Sequence, residues 1–199
     1  VYYVRDLLLT HTDFEQDPSL ECTEEAADLP FLNGSGTKCG GGGGGTSPQQ
    51  SKSGLDLDTL LGRHNWYRWY HQAPPSTWDE GLAGHAQEWV NYLASTGKLE
   101  HGGANGAGQN LYMTTDTSVD PSAVCVAATD SWYNEVDKYD WNNPGFSMET
   151  GHFTQVVWRG STVVGYAVAS GPHGTFVAAH YVEHGNMTGA FEQNVLPHQ

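Results

Sequence analysis

Six consecutive glycines, Gly40 to Gly45, set the strongest limit on how this 199-residue chain can fold. Glycine has no Cβ and loses more backbone freedom on folding than any other residue, so no regular element is expected to run through six of them. The run lies between Asn33-Gly34-Ser35-Gly36 and Ser47-Pro48-Gln49-Gln50-Ser51. This composition predicts a flexible tether. Leu7-Leu8-Leu9, ahead of it, is too short to bury a core. The boundary is placed near Gly54, with an extension over residues 1–54 and a folded domain over 55–199. That length suits one domain.

Charge narrows the function classes. With 8 basic and 23 acidic residues the formal net charge is −15. A field of that sign repels phosphate backbones and anionic headgroups, so nucleic-acid binding is not expected. No apolar run reaches 18 residues, so no transmembrane segment is expected. The chain starts at Val1 without a methionine, as a mature product or a fragment would. Of the three cysteines, Cys22 and Cys39 would close a short loop in an oxidising compartment, leaving Cys125 unpaired. Three free thiols is the alternative.

From Leu55 the pattern becomes helical. Leu57, Leu60 and Leu61 lead into His64-Asn65-Trp66-Tyr67-Arg68, with Asp56 or Asp58 as cap and Pro74-Pro75 as stop. A second helix is predicted over Trp78–Thr96, ended by Gly97, and a third from Pro121 to about Tyr139. A glycine-rich loop spans Gly102 to Gly108. Phe153–Trp158, Thr162–Ala169 and Phe176–Val182 are rich in β-branched and aromatic residues and read as strands. Gly171-Pro172-His173-Gly174 joins the last two as a hairpin. Helices first and strands later predict an α+β domain. Trp78, Trp89, Trp132 and Trp158 are the expected buried anchors.

Two of the ten histidines stand apart. His101 precedes Gly102-Gly103 and His152 follows Gly151, and glycine beside a side chain of this chemistry lets a site rim approach closely. Glu135, in the third helix, could join two imidazoles around a metal or a polarised water. Only a fold could bring them together. Asn33-Gly34-Ser35 is a glycosylation sequon in an exposed stretch; the sequon at Asn186 is expected to be structural.

Gly151-His152-Phe153-Thr154-Gln155-Val156-Val157-Trp158 resembles the first signature of the cysteine-rich secretory, antigen 5 and pathogenesis-related (CAP) superfamily. Phe176 to Met187 resembles the second. His64-Asn65 with Arg68, Trp78 to Ala83 and Gly108-Gln109-Asn110-Leu111 resemble further blocks, in the same order. The resemblance covers residues 55–197 and implies a three-layer α-β-α sandwich with a central antiparallel sheet. It implies a cavity of two His and two Glu, which in some members binds zinc. His101, His152 and Glu135 match that set as cavity and metal residues; the fourth position is Gln109. A neutral amide lowers attraction for a cation, so only weak zinc binding is expected. Tyr166 and Ala179 stand where the family commonly has cysteine.

The resemblance implies a secreted protein, with a sterol or fatty acid as ligand and a role in lipid export or defence. Trp141 and Phe146, in the loop before the first signature, are the candidate lipid-binding residues. A metal-dependent or Ser/His/Glu-type protease, the latter using a serine such as Ser131 or Ser147, is the enzymatic alternative, weakened by Gln109 and by the lack of a Gly-x-Ser-x-Gly elbow. A recognition module with a vestigial pocket is the third reading. No catalytic residue is assigned.

Overall fold

The computed structural model describes residues 49–199. The glycine run, the Cys22–Cys39 pair and the Asn33 sequon lie outside the described residues. Gln49 is already tied to the domain: its amide donates to Asp58 Oδ2 at 3.0 Å, and its carbonyl accepts from Leu57 N.

Helix α1 (Leu57–Tyr70) starts where Asp56 accepts from Thr59 N at 3.2 Å, so Asp56 is the cap. Strand β1 (Thr77–Trp78) and helix α2 (Glu80–Thr96) follow. Asp79 caps α2 through Leu82 N, and Gly97 ends it with φ 70°, a left-handed conformation that favours glycine. Strand β2 (Gly108–Thr114) begins where the glycine-rich loop ends. Helix α3 (Pro121–Tyr133) carries Pro121 in its first turn. It is shorter than expected, because the chain tightens into a 3-10 turn over Asn134–Lys138. Helix α4 (Gly151–Val156), strands β3 (Val163–Gly171) and β4 (Gly174–Val182), and helix α5 (Phe191–Asn194) complete the order.

The sheet order is β1-β3-β4-β2. The three long strands are antiparallel, as expected, but β1 pairs parallel with β3, so the sheet is mixed. Side chains alternate faces along each strand. Leu111, Ala167, Phe176 and Ala178 pack on one face against Ala86, Val90 and Leu93 of α2. Val164, Tyr166, Val177 and Tyr181 pack on the other against Leu60 of α1, Val124 and Trp132 of α3, and Phe153 of α4. These are the three layers of an α-β-α sandwich. Of the expected anchors, Trp132 and Trp158 are buried, while Trp78 and Trp89 are only partly so.

The stretch Phe153–Trp158, expected as a strand, is mostly helix. Its β-branched residues argue for extension, but tertiary contacts hold both ends of α4. Glu135 Oε2 accepts from His152 N and Phe153 N at 3.0 and 3.1 Å. At the other end Arg68 Nη1 donates to Val156 O and Trp158 O at 2.9 and 2.8 Å. An anion at a helix start and a cation at its end both oppose the backbone dipole favourably. Arg68 is fully buried, and burial lowers its pKa to about 10.

Tyr166 and Ala179 face each other across β3 and β4. The positions where the family commonly has cysteine are thus direct cross-strand partners. In place of a covalent bond, the Tyr166 hydroxyl sits 3.0 Å from His64 Nδ1 on α1 and 2.9 Å from Thr129 Oγ1 on α3. One side chain ties the sheet to two helices.

Candidate functional site

The four expected cavity residues form two pairs. In the first, the turn before α4 places His152 against Glu135. Its Nδ1 lies 2.7 Å from Glu135 Oε1, and its ring stacks on Trp132 with centroids 6.2 Å apart. The carboxylate accepts only, so Nδ1 carries a proton. Glu135 accepts three hydrogen bonds here, all from α4: two from backbone amides and one from the His152 ring.

In the second pair, Gln109 projects from β2. Its Oε1 accepts from Gly102 N at 3.2 Å and from His101 Nδ1 at 2.8 Å. Its Nε2 donates to Gly102 O at 2.7 Å and to His180 Nε2 at 2.8 Å. The Gly102 peptide donates on one side and accepts on the other, so it alone fixes which amide atom is which. His101 therefore carries a proton on Nδ1, and His180 carries its own on the buried Nδ1, which has no partner among the described residues. Burial pushes His180 down to about 4, with a further lowering from His85.

The pairs lie on different sides of β2. Gln109 pairs with His180 across β2 and β4, on the α2 face of the sheet. Asn110, the next residue, points to the opposite face, and its Nδ2 donates to His152 O at 3.0 Å. Among the described residues no three His, Cys, Asp or Glu side chains come together as a metal-binding group. Glu135 is committed to α4 and His152, so as arranged here the donor set does not fit a three-ligand zinc centre. A cavity of about 350 Å³ is bordered by Leu82, His85, Tyr181, His184 and residues 104–107, the loop between His101 and Gln109. None of the four expected residues lines it.

The loop before α4 divides into anchor and rim. Trp141 stacks on His71 at 5.9 Å and meets Tyr139 and Phe153 edge-on, which makes it a packing residue despite its 37% exposure. Phe146 and Met148 are 56% and 79% exposed. Phe146 borders Gly151, whose carbonyl accepts from Asn186 Nδ2 at 2.9 Å, and Met187 beside it is 54% exposed. Phe146 thus exposes apolar surface at the start of α4. Ser147 Oγ accepts from Glu149 N in a turn.

His180 escaped sequence reasoning. A histidine inside the apolar run Phe176–Val182 was the available signal, since a fully buried polar side chain needs a partner.

An α-β-α sandwich with these blocks at these places defines a class. The sequence model of the cysteine-rich secretory protein family, CAP, matches residues 61–183, and the chain belongs to that family. It is 39% identical over 141 residues to human Golgi-associated plant pathogenesis-related protein 1, covering 69% of this chain and 90% of that one. It is 37% identical over 142 residues to Protein PRY2 of Saccharomyces cerevisiae, covering 70% of this chain but 40% of that one. Against Repressed by EFG1 protein 1 of Candida albicans the identity is 34%, covering 70% of this chain and 53% of the relative. The chain thus spans about half or less of the two fungal relatives. The crystal structure of NaASP2 with Zn2+ shares the fold, with a TM-score of 0.62 at 19% identity, over 76% of this chain and 91% of that one.

Proposed function

We propose that this CAP domain binds a small apolar ligand, of the sterol or fatty-acid type, at the rim formed by Phe146, Met148 and Met187. One observation carries the reading: Phe146, more than half exposed, packs against Gly151 at the start of α4, with the exposed Met148 two residues along and the exposed Met187 next to Asn186, which bonds Gly151 O. Grouped apolar side chains in water mark a binding surface more often than chance exposure does. Methionine adapts to irregular apolar shapes, and Phe146 adds a rigid flat face. The rim borders the start of α4, an element held at both ends by Glu135 and Arg68, so Phe146 packs on a fixed support. A carrier of this kind would act in lipid export or defence, in the secretory pathway or outside the cell.

The reading needs neither a metal nor a nucleophile. Direct titration of the protein with radiolabelled cholesterol and with palmitate tests it. Burying a large apolar side chain contributes about 1.5–3 kcal/mol, so Phe146→Asp should weaken binding about tenfold or more. Saturable binding unaffected by Phe146→Asp and Met187→Asp, or no saturable binding at all, would sink the proposal.

A further inference from the structure

Helix α1 has an apolar outer face that the core does not account for. A helix lying on a domain normally turns charged and polar residues outward. The buried side of α1 is Leu57, Leu60, His64, Asn65 and Arg68. Trp66, Trp69 and Tyr70 stand three and four residues apart on another stripe, each half-buried. The Trp66 and Trp69 rings stack with centroids 5.3 Å apart. Tyr70 stacks on His198 at 5.2 Å, nearly parallel. Gln199 holds this arrangement: its N donates to Tyr70 O at 3.1 Å, and its Nε2 to Trp69 O at 3.2 Å.

Two further observations concern the same stripe. In a chain with 23 acidic residues, none falls between Gly62 and Gln72 or between Leu196 and Gln199. Of the two arginines there, Arg68 is buried and Arg63 pairs with Asp130 at 3.3 Å. The second is Gly62, four residues before Trp66. A Cβ added there would meet nothing within 4 Å, so packing does not demand glycine. Glycine inside a helix costs about 1 kcal/mol relative to alanine. What it leaves is flat, open ground beside Trp66.

We infer that the outer face of α1 is a docking platform for a neutral, β-linked polysaccharide. A pyranose ring with equatorial hydroxyls has two C–H faces, and these stack on aromatic faces through dispersion and the ring quadrupole. Its hydroxyl rim suits amides, and Gln72 and Gln199 border the stripe exposed. Half-buried rings protrude little, which suits contact with a polymer face and not insertion into a bilayer. A charged polymer would need complementary side-chain charges, and both arginines of this helix turn are committed, Arg68 to backbone carbonyls and Arg63 to Asp130. Phe146 takes no part, so this inference stands or falls apart from the apolar-ligand reading.

Co-sedimentation of the full chain with insoluble chitin and with insoluble β-1,3-glucan tests it. Retention on at least one polymer is expected, insensitive to high salt. Trp66→Ala/Trp69→Ala should lower retention about tenfold or more. Trp66→Phe/Trp69→Phe, which keeps flat faces, should retain most of it. Gly62→Gln should weaken it, and Phe146→Asp should not change it. Retention on neither polymer would overturn the inference. So would equal retention of the alanine variant, or binding of the stripe to phosphatidylcholine vesicles in place of polymer.

Discussion

Gln109→Glu is the perturbation that separates two accounts of the candidate site. If Gln109 were only a carboxylate that had lost its charge, restoring the charge would be harmless. The geometry says otherwise. The Gln109 amide makes four hydrogen bonds, two as acceptor and two as donor. A glutamate keeps the acceptor side and replaces Nε2 by an oxygen facing Gly102 O at 2.7 Å and His180 Nε2 at 2.8 Å. A change of tautomer lets His180 donate to the new oxygen. Gly102 O cannot change, because a carbonyl only accepts. One donor is lost and two like partial charges are pressed together, at an expected cost of about 1–3 kcal/mol. That repulsion raises the folded-state pKa of the new carboxyl above its unfolded value of about 4.3. The penalty is therefore full at neutral pH and fades as pH falls through the folded pKa, where the protonated acid can donate to Gly102 O. Urea denaturation of both proteins near pH 7 and near pH 5 reads the difference directly. A variant as stable as the parent near pH 7 would refute the amide-clamp account.

Other expectations follow from the buried polar groups. Arg68→Met strips a guanidinium from the carbonyls of Pro74, Val156 and Trp158, and should cost about 3 kcal/mol or more, seen as a lower urea midpoint. Tyr166→Phe removes one hydroxyl from His64 and Thr129 and should cost about 1–3 kcal/mol by the same measurement. Burial lowers the pKa of His64, His71 and His180 below 6.5. Each is held neutral when folded, so stability is full above pH 6.5 and declines as pH falls below it, when the unfolded chain takes up protons first. Flat denaturation midpoints between pH 7 and 5 would contradict this.

The helices and the hairpin were legible because their signals are local. Asp56, Asp79 and Pro121 mark helix starts, and Gly97 marks an end, whatever surrounds them. Strand β2 was not legible: Gly108-Gln109-Asn110-Leu111 has little intrinsic preference for extension, and pairing with β4 decides it. Helix α4 was misread for the converse reason. Its residues prefer strands, and two side chains distant in sequence, Arg68 and Glu135, impose a helix. The site divides in the same way. His101, Gln109, Glu135 and His152 could be named through the family resemblance, but their grouping into two pairs on opposite faces depends on strand register. A one-residue shift in β2 would exchange the partners of Gln109 and Asn110.

The facing positions Tyr166 and Ala179 also bear on where such a domain can be made. Among the described residues the only cysteine is Cys125, buried and with its thiol pKa pushed up by desolvation, so it neither bridges nor reacts readily. The strands that a disulfide would join are joined by backbone pairing, and the sheet is fastened to α1 and α3 by a phenol that no reductant can cut. The maturation of residues 49–199 therefore waits for no oxidase and no isomerase. Between a reducing cytosol and an oxidising space, residues 49–199 have no disulfide of their own to lose or gain.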